Sequence, residues 1–112
     1  MQVDVIKEEN IVIVAVQGEL DAESSPDLRS TFEELISGGA NQYVIDLAGV
    51  TFMDSSGIAA LVNLFKRVRI GAGDVKLCGI ISEIMKIFQL TRLDRVFDIF
   101  ETRTEALDSF SS

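Results

Sequence analysis

The chain has 112 residues, 47% hydrophobic and 25% charged, which are the proportions of a globular domain and exclude disorder as its main state. Eighteen acidic residues against ten basic ones leave a formal net charge of −8, which argues against nucleic acid as a ligand, because phosphate recognition needs a basic footprint. Histidine is absent and Cys78 is the single cysteine, which excludes Ser-His-Asp and Cys-His catalytic sets, histidine metal sites and an intrachain disulfide.

By size the expectation is one domain over residues 1–112, able to bury something over ~60% of the surface its unfolded form exposes. Met1 is not followed by a basic region and an apolar stretch, and no segment approaches the ~18 apolar residues that span a bilayer. The reading is a cytoplasmic protein with no membrane partner.

In chain order, residues 3–6 and 11–16 flank Lys7-Glu8-Glu9-Asn10, and the alternation of the second run predicts two antiparallel strands joined by a polar turn. Gly18-Glu19-Leu20-Asp21 then leads to Ser24-Ser25-Pro26, where a serine cap followed by proline at the first helical position starts a helix. Leu28, Phe32, Leu35 and Ile36 form its buried face, and Gly38-Gly39 ends it. Residues 43–47 read as a short buried strand. Beyond them Ile58, Leu61, Val62, Phe65 and Val68 recur at helical spacing, and Asp54, Ser55 or Ser56 can cap that helix. Lys66, Arg67 and Arg69 complement its negative terminus before Gly71-Ala72-Gly73. A strand at 75–78, a short helix at 82–88 and a last strand at 96–99 follow, and Thr102 or Thr104 caps a terminal helix carrying Ala106, Leu107 and Phe110. Strands alternating with helices after an initial hairpin imply an α/β fold with a mixed sheet, largely parallel beyond its first strands, and about four helices.

The stretch Phe52-Met53-Asp54-Ser55-Ser56-Gly57, preceded by Ile45-Asp46-Leu47, resembles the signature of the STAS domain, specifically the bacterial anti-sigma factor antagonists. Gly18-Glu19-Leu20-Asp21 matches a second word of that family, and with the element order the resemblance covers nearly the whole chain. Taken alone, Asp-Ser-Ser-Gly is more often a plain helix cap. Two motifs in register with this topology reverse that prior.

The resemblance implies a phosphorylation-controlled antagonist that binds an anti-sigma factor, itself a serine kinase, and so frees a sigma factor for transcription. It places phosphorylation on Ser55, the serine directly after the aspartate, and implies that a serine phosphatase reverses it. It also implies partner-binding roles for Asp21, Asp54, Ser56 and Gly57, with Gly57 letting a partner backbone approach closely. No catalytic residue and no cofactor is implied. STAS modules serving as scaffolds of stress-signalling complexes or as regulatory parts of membrane transporters are the alternative reading.

The rest of the sequence offers little other chemistry. Ser55 follows a strand and opens a helix, as a nucleophile elbow does, but Gly-x-Ser-x-Gly is not matched and no base is visible. Gly71-Ala72-Gly73 lacks the third glycine of a dinucleotide loop and precedes a strand, so it reads as a helix-stop turn. Asp21, Asp46 and Asp54 are a conceivable carboxylate cluster at strand ends, yet three scattered acids are more often solvated surface, and no metal is assigned. What remains is a helix N-terminus that can carry a phosphate and still fold.

Overall fold

The computed structural model describes residues 1–111. β1 (Gln2–Glu8) and β2 (Ile11–Leu20) form the expected antiparallel hairpin, with Glu9 in the left-handed region at its turn. α1 (Ser25–Ser37), β3 (Gln42–Met53), α2 (Ser55–Ile70), β4 (Asp74–Cys78), α3 (Ser82–Leu90), a 3-10 turn at Leu93–Arg95, β5 (Asp98–Phe100) and α4 (Arg103–Ser109) follow. The sheet runs β1-β2-β3-β4-β5, with every pair after the first parallel. This is the mixed α/β sheet with four helices that the alternation predicts.

The two faces of the sheet carry separate cores. Val12, Val14 and Val16 of β2, Tyr43, Ile45 and Leu47 of β3, and Val75 and Leu77 of β4 point to one side. There they meet Leu28 and Phe32 of α1, Leu61, Leu64 and Val68 of α2, and Ile84 and Phe88 of α3. The alternate residues Ile13, Val44 and Cys78 point to the other side and lie under Ala106 of α4. One period-two pattern thus feeds two cores because each parallel strand is covered on both faces.

Several boundaries differ from the sequence expectation: β1 spans Gln2–Glu8, β2 runs on to Leu20 and α3 to Leu90, and two further differences bear on the site and the core. β3 does not stop at residue 47 but continues to Met53, since its parallel pairing with β2 resumes past irregularities between Ala15 and Gln17 and between Gly18 and Glu19. Gly49 permits this, because a Cβ there would stand 2.7 Å from Gln17 Cγ. The last strand begins at Asp98 rather than at residue 96, because Val96 and Phe97 close the 3-10 turn by donating their N–H groups to the Leu93 carbonyl. Phe97 then packs edge-on against Phe65 of α2 at 5.0 Å and Phe88 of α3 at 6.2 Å.

Candidate functional site

The ends of β2 and β3 lie side by side, with Glu19 opposite Phe52 and Leu20 opposite Met53, so the two sequence motifs meet at one edge of the sheet. The Asp54 N–H donates to the Leu20 carbonyl at 3.2 Å, which fixes the point where β3 turns into α2. Of the three candidate caps, Asp54 takes the role: its backbone is extended and its Oδ1 accepts from Ser56 N at 2.8 Å and Gly57 N at 3.4 Å. Ser55 is therefore the first residue of α2, and it is exposed. Ser56 beside it is half-buried.

Gly57 is buried, and the space its missing side chain leaves is filled from within the molecule. A Cβ there would stand 2.7 Å from Leu20 Cγ, 2.9 Å from the Leu20 carbonyl oxygen and 3.0 Å from Met53 Cγ. The first turn of α2 sits against the end of β2 only because this residue is glycine.

Asp21 stands at the start of the loop between β2 and α1. Its Oδ1 accepts from Ser24 N at 3.0 Å and Glu23 N at 3.1 Å, and the single Ser24 hydroxyl proton lies between the Glu19 carbonyl at 2.8 Å and Asp21 Oδ1 at 3.1 Å. The Ser24 N–H is the main cause that holds the Asp21 carboxyl below the ordinary carboxylate range, against the desolvation that pushes it up. Ser24 occupies the cap position of α1, but its hydroxyl makes no bond to the helix, because it closes this loop instead. The loop is tied to the corner by Ala22, whose N–H donates to Asp54 Oδ2 at 3.2 Å.

The surroundings are acidic and partly apolar. An open concavity beside the corner is lined by Met1, Glu19, Asp21, Glu23, Ser24 and Asp27, and Phe52 is 49% exposed one strand over. Among the described residues no ion pair includes Glu19, Asp21, Glu23, Asp27 or Asp54. Sequence reasoning missed Ala22, whose contribution is a backbone N–H and leaves no signature. It also missed Phe52, since an aromatic in a strand-like run is ordinarily a core residue.

Asp46 does not join Asp21 and Asp54. It lies on the α4 face, where it accepts from Arg103 Nε at 3.0 Å. Cys78 is buried, and desolvation first, then the Asp46 charge, push its thiol up to about 12. That is an inert structural thiol. No helix among the described residues is long and apolar enough to cross a membrane.

Comparison with known proteins bears on the family and the fold. The anti-sigma-B factor antagonist of Bacillus subtilis (strain 168) is 34% identical over 99 residues, 88% of this chain and 90% of that protein. The crystal structure of an anti-sigma factor antagonist of Thermotoga maritima superposes with a TM-score of 0.94 at 24% identity, covering 98% of this chain and 95% of that one. The Bacillus cell fate determinant SpoIIAA, solved in its phosphorylated form, superposes with a TM-score of 0.79 at 23% identity, covering 97% of this chain and 99% of that one. The family model of the STAS domain matches residues 2–106, and the chain belongs to the STAS domain family.

Proposed function

We propose that this chain is an anti-sigma factor antagonist whose affinity for its partner is set by phosphorylation of Ser55. The partner is an anti-sigma factor that is also a serine kinase, and a serine phosphatase restores the unmodified form. The observation that carries the reading is the position of Ser55, exposed at the first residue of a sixteen-residue helix in a corner where no carboxylate is paired with a cation. The relationship to the Bacillus subtilis anti-sigma-B factor antagonist supports the partner class.

The energetics suit a binding switch rather than a folding switch. Phosphorylation adds about −1.5 to −2 charges, and a helix N-terminus favours an anion by about 0.3–1 kcal/mol. The neighbouring Asp54 carboxylate opposes this, so the local effects on stability are small and of opposite sign. Across an interface the same dianion is desolvated, and an uncompensated buried charge costs about 2–5 kcal/mol, a loss of affinity of roughly 30- to 5,000-fold. Asp21 and Ser56 lie on the docking surface, Asp21 meeting a cation of the partner, while Asp54 and the buried Gly57 hold its shape from within the chain. The chain acts in the cytoplasm as substrate and ligand, with no turnover of its own.

The test is incubation with the anti-sigma factor kinase and ATP, followed by phosphopeptide mapping. Phosphate on Ser55, with none when ATP is added to the chain alone, supports the reading. Phosphate on Ser56 or Thr51, or autophosphorylation, overturns it.

A further inference from the structure

The two oxygens of the Asp54 carboxylate face two different elements. Oδ1 receives the N–H groups of Ser56 and Gly57 at the start of α2, and Oδ2 receives Ala22 N from the β2–α1 loop at 3.2 Å. We propose that Asp54 is a positioning residue, which acts on the partner through the loop it holds against the Ser55 corner and not through contact of its own charge. This rests on the reading of the corner as the place where the kinase docks and phosphorylates.

Three features of the geometry point this way. First, both oxygens are already engaged by backbone donors of this chain, so the carboxylate presents less accepting capacity to a partner than a free surface aspartate does. Second, the loop has its own internal closure, in which Asp21 gathers the N–H groups of Glu23 and Ser24, and Ser25 N donates to the Asp21 carbonyl at 2.8 Å. It is a preformed unit, anchored to the end of β2 through Ser24 and the Glu19 carbonyl, and the bond from Ala22 is what ties it to Asp54 and the Ser55 corner. Third, the loop carries Asp21 and Glu23, and it borders the acidic concavity that continues to Glu19 and Asp27. A change in its tilt moves several charges together relative to Ser55. Holding groups in the geometry a partner expects lowers the ordering cost of association.

Substitutions at Asp54 separate the two bonds. Serine is an equally good N-cap but is too short to reach Ala22, and Asp54→Asn keeps one oxygen for the helix while turning an amide donor toward the Ala22 N–H. Both variants are capped and fold. Asp54→Glu keeps the charge and moves it.

The experiment combines hydrogen exchange at the Ala22 amide of the free chain with kinetics of Ser55 phosphorylation by the anti-sigma factor kinase and ATP. For Asp54→Ser and Asp54→Asn the expected result is Ala22 exchange faster by about tenfold or more, with Ser56 and Gly57 protected as in the wild type. KM for the chain rises about tenfold while kcat stays within about threefold, and Asp54→Glu does not rescue it. Unchanged Ala22 exchange in Asp54→Ser, or a wild-type KM in Asp54→Glu, overturns the proposal in favour of direct contact by the charge. A wild-type chain that is not phosphorylated at Ser55 overturns the reading of the site and the docking role with it. Ala22 exchange then still decides whether Asp54 holds the loop.

Discussion

Two carboxylate-rich regions of this molecule use their charge in opposite ways. Under α4, Asp46 is matched by Arg103 at 3.0 Å, and Lys76, 8% exposed, lies 2.9 Å from Asp98 and 3.4 Å from Asp74. The Lys76 ammonium also sits over the rings of Phe100 and Phe110, 5.8 and 5.0 Å from their centroids. At the Ser55 corner, Asp21 and Asp54 are held by backbone N–H groups and a serine hydroxyl, with no cation. Carboxylates matched by cations give shape with the charge cancelled. Carboxylates matched by backbone donors give shape without cancelling the charge, so Asp54 can hold the loop while Asp21 on that loop stays available to a cation of the partner.

The largest effect that sharpens the contrast is at Ser55. Ser55→Asp should lower affinity for the anti-sigma factor by about 100-fold while moving stability by less than about 0.5 kcal/mol, and Ser55→Ala should bind as the unmodified protein does. Titration calorimetry and thermal melting check both. A Ser55→Asp chain that binds as the wild type does breaks the comparison.

Gly57→Ala tests whether part of the corner is structural. Its Cβ would run into the Leu20 carbonyl, so a loss of about 1–3 kcal/mol in denaturant unfolding is expected, accompanied by weaker binding because α2 must shift. Under α4 the converse holds. Arg103→Met should cost no more than about 1 kcal/mol, since the pair with Asp46 is partly exposed, and should leave affinity for the partner unchanged.

The smallest effects are at the two ends of the pH scale. Asp21 titrates below the ordinary carboxylate range in the folded chain, so its contribution is present above about pH 4 and is lost as pH falls through the lowered value. Burial alone would lower the Lys76 ammonium, but Asp98 and Asp74 outweigh it and the net shift is upward. Its contribution is therefore present below the unfolded lysine value and is lost as pH rises above it. Cys78, pushed up to about 12, likewise loses stability once the unfolded thiol ionises. Melting temperature against pH should show the acid limb made slightly shallower by Asp21→Asn and the alkaline limb slightly shallower by Lys76→Met.

The order of elements was legible because hydrophobic period, glycines and proline agree along the chain, and the two motifs were legible as words. Leu28, Phe32, Leu61 and Val68 are buried as their helical spacing predicts. The length of β3 was not legible, since Ala48, Thr51 and Phe52 break the burial rhythm where the pairing with β2 shifts register. The sequence left three caps for α2, and only the extended backbone of residue 54 selects Asp54. The sequence predicts a serine cap directly before Pro26, but α1 begins one residue earlier at Ser25, and Ser24 at the cap position closes a loop through the Glu19 carbonyl that β2 brings within 2.8 Å. Contacts of this kind depend on where two strand ends meet, and no local pattern encodes that.

Whether charge at Ser55 or a change of fold controls the complex is decided by titrating the anti-sigma factor with the unmodified chain and with the same chain phosphorylated at Ser55, and by melting both forms. Control by charge gives an affinity lower by roughly 100-fold or more for the phosphorylated chain, with melting temperatures within a few degrees of each other. Equal affinities, or a phosphorylated chain that loses binding only because it has unfolded, would contradict it.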